Sequence, residues 1–396
     1  MTTVPIGFIT PAITVDGMPM ASATMASLIS IEVDRSLNLI GRATLRFVEP
    51  AFDLEVQPTL GIGAVVEIDA SGGSSLFQGT VTGFSLDQDM AGPAGTTLTV
   101  TVDDDGQKLT RKSTHKAYLK QTYSAVLSDV IGGTGLSASV VALNPVEDYI
   151  LQSGTALSFL DWVCSRFGLQ WWVEGRTVTV EKAGTSSATV ALELGKTLIR
   201  LSTRASDRHP GSVTVTGWDP KQQVQVTHTA STKKSPESDL FSKVSGRGNP
   251  PGTVTVPAGA LTTAEATAVS GSLLTHATAS AVTTRGTAYV TPTLKPGTTV
   301  SISGAGPASA SYLVSRVQHV YSAQGFETRF VAGPLQTESL VDLLGAPAPN
   351  GGALSGTLAT AVVTNKKDDA KPGQVKVKLF MHGEGVDSQW ARVVTR

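Results

Sequence analysis

The 396-residue chain has one cysteine, Cys164. A single thiol can form neither an internal disulfide nor a cysteine-based zinc site. That fits folding in a reducing compartment. Charge is scarce too: 16% of residues are charged, and the formal net charge is −1. A free-standing nucleic-acid binder would carry a basic excess, and here acidic and basic residues read as mixed along the chain. No apolar run approaches the roughly 18 residues of a membrane helix. The first residues, from Met1 to Pro5, lack a basic region followed by an apolar stretch, so no signal peptide is expected.

What the chain does have is glycine (40 residues), abundant threonine and 40% hydrophobic residues. Threonine favours strands and glycine marks turns, so the expectation is a β-rich protein of many short strands. Residues 1–107 read as strands throughout. Asp16-Gly17, between Ile13–Val15 and Met18–Met20, is a tight-hairpin signal. Period-two alternation recurs at Ile29–Val33, Ala43–Phe47, Val65–Ile68 and Leu98–Val102, a spacing that suggests a barrel or sandwich.

The character then changes. Tyr123, Val126, Leu127, Val130 and Ile131 follow helical spacing, with Thr122 as N-cap and Gly132 just past the end. A second helix is expected from Thr155 to Phe167, its stripe made of Phe159, Leu160, Val163, Cys164 and Phe167. A hairpin with a Glu174-Gly175 turn completes an α+β module over 112–185. Strands return over 190–230, a polar loop spans Ser231 to Pro251, and Thr262 with Glu265 forms a capping-box pattern ahead of an Ala-rich helix. Strands resume at Thr287 and run to Phe330. Glu338 to Leu344 reads as helical turns, and the Gly/Pro-rich stretch after it as a linker. Three further strand-like segments end the chain. They are too few to close a barrel, so the expectation is a longer protein cut short inside its last domain.

Several stretches, in order, carry a resemblance. Phe77-Gln-Gly-Thr-Val-Thr-Gly-Phe84, Asp104 to Arg111, Ser158 to Gly168, Val215 to Pro220, Pro292 to Gly297, Tyr312 to His319, Gly325 to Phe330, Val362 to Phe380 and Gln389 to Val393 are similar to motifs of the hub and spike proteins of contractile injection systems. That group includes the valine-glycine repeat proteins of type VI secretion (VgrG-like), phage baseplate hubs and the spikes of extracellular contractile particles. The motifs span nearly the whole chain.

The resemblance implies a mainly β fold with minor α content. It has two tandem hub β-barrels (1–107, and 190–225 with 286–335), inserted small α+β domains (112–185 and 226–285), a linker (336–356) and the start of an OB-fold neck (357–396). Its function would be structural, with no enzymatic activity and no cofactor. A homotrimer would form a pseudo-six-fold ring joining the inner tube and baseplate to the puncturing spike. Implied partners are an inner-tube or tube-initiator protein, baseplate proteins, a PAAR-like spike-tip protein, and a tape measure or cargo in the lumen. Assembly would take place in the bacterial cytoplasm, with the protein resident in the particle. No nucleic-acid readout and no membrane-spanning segment are implied. The alternative reading is a multidomain β protein that binds glycan or nucleic acid, which sparse, unclustered aromatics disfavour. A fused cell-wall hydrolase is disfavoured by the lack of an acid/base constellation.

Chemical motifs are weak. The six histidines (His115, His209, His228, His276, His319 and His382) form no metal-binding spacing. His319, inside a matched motif, reads as an internal hydrogen-bonding residue. Asp103-Asp104-Asp105 reads as a strand end entering a turn, without the ligand spacing of a calcium loop. Gly132 to Gly135 follows a helix, where a phosphate loop would precede one. Cys164 reads as a small buried hydrophobe. No catalytic or metal-ligating residue is assigned. The candidate interface or structural residues are Trp171, Trp172, Trp218, His319 and Trp390. Of the adjacent pair Trp171 and Trp172, one ring is expected in the core and the other free as an interface anchor.

Overall fold

The computed structural model describes residues 10–48, 60–70, 73–88, 95–143, 146–182, 184–185, 188–205, 210–219, 222, 224–231, 252–260, 262–279, 282–333, 361–366, 373–379, 388 and 390–393. The protein is mainly β with few helices. It divides into two units: Met1–Gln107 with Phe167–Gln336, and Lys108–Arg166 with Thr337–Arg396. No described helix is long and apolar enough to cross a membrane. The helical turns expected at Glu338 to Leu344 and the linker after them lie outside the described residues, as does nearly all of the polar loop from Ser231 to Pro251.

The first unit is built on one sheet of 13 strands. Its hydrogen-bonded path starts at Leu198–Ala205 and runs through Val282–Tyr289, Gly325–Ala332 and Ser311–Ser322. It crosses to Leu28–Ser36 and continues through Arg42–Val48, Thr96–Asp103, Ser74–Gln88, Val65–Ala70 and Ala12–Val15 to Met18–Pro19. Thr189–Glu193 and Thr299–Ser303 join beside Ser311–Ser322. Two lobes share this path. The strands from Ala12 to Asp103 form the first lobe, and those of 189–205 and 282–332 form the second.

Each lobe has its own core, and Phe326 of the second lobe joins the first. The first core holds Ile31, Val33, Leu45, Phe47, Val66, Ile68, Val100 and Val102. The second holds Leu198, Ala288, Val300, Val314, Val317 and Phe330. Period-two alternation accounts for both, because every second residue of a strand faces the same side. The Asp16-Gly17 hairpin forms as expected, with φ of 51° and 78°. Val15 pairs with Met18, so this is a two-residue turn with both central residues left-handed. The short helix Ser22–Ala26 has no counterpart in the sequence reading.

One segment is placed differently from the sequence reading. Ser212–Asp219, read there as opening the second barrel, lies in a separate three-stranded sheet. It pairs with Val224–Ser231 and Thr253–Ala260. Val213, Val215 and Val226 pack with Ala266 and Leu274 of the helix Thr263–Ala279 in a third small core. Alternation shows that a strand has a buried face, but not which sheet buries it. The insertion therefore takes in the 212–219 strand. Its helix carries the expected capping box: the Thr262 amide donates to Glu265 Oε2 at 2.9 Å, and the Glu265 amide donates to Thr262 Oγ1 at 3.3 Å.

In the second unit, Ser113–Thr122 pairs antiparallel with Val146–Thr155. Tyr123–Gly132 is helical, and Thr122 Oγ1 accepts from the Ala125 amide at 3.2 Å. Ala156–Phe167 is capped in the same way, with Thr155 Oγ1 accepting from the Ser158 amide at 3.1 Å. Its stripe of Phe159, Leu160, Val163 and Cys164 is buried, and burial raises the pKa of the Cys164 thiol. The C-terminal strands are Ala361–Asn365, Gln374–Leu379 and Ala391–Arg392.

Candidate functional site

The strands Leu28–Ser36 and Ser311–Ser322 form the seam that makes the two lobes one sheet. Their antiparallel register runs from Arg316↔Ser36 to Tyr321↔Ile31. Their outward side chains include Arg316, Gln318, Asp34 and Glu32, with Val320 opposite Glu32. Arg316 Nε donates to Asp34 Oδ1 at 2.9 Å, and a second guanidinium nitrogen bonds to Asp34 Oδ2. Gln318 Nε2 donates to Glu32 Oε1 and Asp34 Oδ2, each at 3.1 Å.

Beneath the seam the inward residues include charge. Val33 belongs to the first core and Val317 to the second. Arg35 pairs with Val317, and His319 with Val33. The Arg35 guanidinium donates to the Val173 carbonyl at 2.9 Å, and burial lowers its pKa. Asp104 is 7% exposed. Its Oδ2 accepts from the Gly41 amide at 2.7 Å and its Oδ1 from the Gly106 amide at 2.8 Å. Burial pushes the Asp104 carboxyl up to about 6, against the pull of those amides and of nearby Arg35.

His319 is 2% exposed, and burial, with Arg35 adding to it, pushes its pKa down to about 3. Its Nδ1 lies 2.9 Å from Thr328 Oγ1, which accepts from the Thr291 amide at 2.8 Å. A neutral imidazole can accept the Thr328 proton, completing a chain from Thr291 through Thr328 to His319. These groups are locked by internal hydrogen bonds. They tie strands and turns together. Among the described residues, no three His, Cys, Asp or Glu side chains converge as a metal site.

The other candidate residues do not gather into one place. Trp171 is fully buried. Trp172 is 9% exposed, and its ring lies against Gly297. Neither ring of the pair is therefore free as an anchor: the hairpin Leu169–Lys182 has both faces covered, and all of Leu169–Val173 is buried. The backbone of Trp218 pairs with Gln225 and Ala260 in the small sheet. Trp390, in the second unit, has Lys376 Nζ 5.4 Å from its ring centroid.

The outward face of the first unit's sheet was not singled out in the sequence. In the second lobe it carries arginines on neighbouring strands. Arg200 is opposite Thr287, which is opposite Arg329. Ser202 is opposite Arg285, and Val331 lies between Arg285 and Arg316. Arg200, Arg285, Arg316 and Arg329 line a shallow depression of about 330 Å³. At the far end of the same sheet, Glu67 and Asp69 face outward, opposite Thr14 and Ala12.

The Alg8 N-terminal domain family matches residues 6–322, a span that takes in the first lobe, the seam and all of the second lobe except its strand Gly325–Ala332. The chain belongs to the Alg8 N-terminal domain family. No curated protein matches it in sequence. Solved structures share the fold of this family member. One is the 43 kDa tail protein of prophage MuSo2 from Shewanella oneidensis, at 16% identity and a TM-score of 0.60. That likeness covers 82% of this chain and 98% of the other. A tail protein from Neisseria meningitidis MC58 is similar at 14% identity and a TM-score of 0.56, covering 82% of this chain and 96% of that one. The E. coli protein c3393 has a TM-score of 0.55 at 14% identity, with coverage of 93% and 88%. It is described as a component of the type VI secretion system with structural similarity to T4 bacteriophage tail proteins gp27 and gp5.

Proposed function

We propose that this chain is a structural hub protein of a contractile, phage-tail-like machine. Three copies form a ring in which each lobe acts as one β-barrel, giving six similar barrels. Such a ring adapts a three-fold spike to a six-fold tube, and the strands of 361–392 begin an OB-fold neck toward the spike. Its partners are the inner tube, the baseplate and a spike tip. The role is mechanical: it needs broad interfaces and no chemical step.

One observation carries this reading. The likeness to the Shewanella tail protein takes in 98% of that protein, so it follows the whole fold and not one shared lobe. The two-lobed sheet supports it, because a chain with two similar lobes can fill two positions of a six-fold ring. A cyclic trimer reuses one head-to-tail interface and closes. The test is the mass of the full chain in solution by light scattering across a concentration series. A species of three times the 41.0 kDa chain mass is expected. A monomer at every concentration overturns the ring.

A further inference from the structure

The near-neutral total hides a division of charge. Residues 1–107 contain 13 Asp and Glu against three Arg, a net of −10. The second lobe's strands and turns, residues 188–205 and 282–333, contain seven Lys and Arg against two Glu, a net of +5. The reading of acidic and basic residues as mixed is therefore corrected: they segregate by lobe. Lobes that share a sheet carry opposite fields.

The placement is directional. Arg200 is on the terminal strand of the sheet path, and Arg285 and Arg329 are on the next two. All three are exposed. Arg329 is engaged by Glu327 on its own strand, through Nε at 2.6 Å. Near the other terminus, Glu67 is held by Gln78 at 2.8 Å, and Asp69 lies two residues further along the same strand and face. The outward face thus runs from arginine at one end, through the neutralised Arg316–Asp34 seam, to carboxylate at the other.

We infer that this polarity is the docking code for a second copy of the chain. The arginine face of one second lobe meets the carboxylate face of the next copy's first lobe. The inference rests on the ring proposed above and names the surfaces that close it. Charge complementarity selects this occupant. Opposite fields attract second lobe to first lobe, while contacts between like lobes repel, so only the head-to-tail order is favoured. Rim charges of this kind act on encounter rate and salt dependence, and they are screened over about 10 Å at 0.1 M salt.

The experiment compares the full-length chain with three full-length variants by sedimentation velocity at low and high salt. The first variant is Arg200→Glu with Arg285→Glu. The second is Glu67→Lys with Asp69→Lys. The third combines all four changes. Far-UV circular dichroism checks that each is folded. Each double reversal should weaken trimer formation on the order of tenfold or more at low salt, and the combination should restore it. The native trimer should weaken as salt rises.

A native trimer whose assembly ignores both reversals overturns the inference and leaves the ring standing. Weakening without restoration overturns the pairing of these two surfaces. A native chain that stays monomeric overturns the ring itself. A short DNA duplex is the control for another occupant: loss of duplex binding in the arginine variant, with self-association unchanged, overturns the inference in favour of nucleic acid.

Discussion

The two lobes have similar interiors and different exteriors. Both bury a large phenylalanine against closely spaced strands, Phe47 in the first and Phe330 in the second. Both contain a glycine forced by close approach. A Cβ at Gly79 would overlap the Asp103 backbone oxygen, and one at Gly286 would overlap the Phe330 ring. They differ in continuity and charge. The first lobe's strands are consecutive in the chain, whereas the second is interrupted by the small domain of 212–279. The interiors hold the strands together, and the lobes differ in the charge they present outside.

The comparison can be broken most sharply in the cores. Phe47→Ala and Phe330→Ala should each cost about 3–5 kcal/mol, the range for removing a buried aromatic side chain. Denaturant unfolding would test whether the seam couples the lobes. A single transition shifted by either change is expected. Two transitions, each moved by only one variant, would show lobes that fold separately.

The next largest effect concerns the junction itself and depends on pH. His319, near 3 against an ordinary 6.5, stabilises the fold above pH 6.5 and loses that contribution as pH falls toward 3. Asp104, near 6 against an ordinary 3.8, works in the opposite direction. Its contribution is full below pH 3.8 and is lost as pH rises through 6. Between about pH 4 and 6 the two slopes offset each other. His319→Gln removes one slope. Relative to the native chain, it should gain about 1.4 kcal/mol per pH unit on acidification below 6.5. Urea denaturation across that window measures it, and a pH-independent difference would contradict the buried neutral imidazole.

Smaller effects follow at the glycines and the seam surface. Gly79→Ala and Gly286→Ala should each cost about 1–3 kcal/mol. Gly79 should cost the more, since a backbone oxygen yields less readily than a ring. Thermal unfolding would rank them, and the reverse order would show a first lobe more pliant than the second. Asp34→Asn, which loosens the bond to Arg316, should cost less than about 1 kcal/mol because that pair is partly in water. A larger loss would mean that the outward ion pair, and not the ladder, holds the lobes together.

Local features were legible in the sequence because short-range rules decide them. The Asp16-Gly17 turn, the Thr122 cap and the Thr262/Glu265 box each need only neighbours within a few residues. His319 was legible as an internal hydrogen bonder, but its partner Thr328 was not, because strand register brings them together. The same limit misplaced Ser212–Asp219, whose alternation suits either sheet. One ring of the pair Trp171 and Trp172 was expected to be free, yet Trp171 is fully buried and Trp172 is covered by the Gly297 turn, more than a hundred residues away in sequence. The arginine face is not legible in the sequence for a related reason. Arg200, Arg285, Arg316 and Arg329 are scattered along the chain, and strand pairing alone makes them neighbours.

The seam also has a mechanical meaning. Hydrogen bonds of an antiparallel ladder lie across the strands. Six residue pairs, from Arg316↔Ser36 to Tyr321↔Ile31, join the lobes. A pull along those strands loads the whole ladder in shear, so its bonds must fail together. A pull at right angles peels them open one after another. The joint is therefore stiff in one direction and weak in another, and a thrust that passes through the chain is borne best when it runs along the seam.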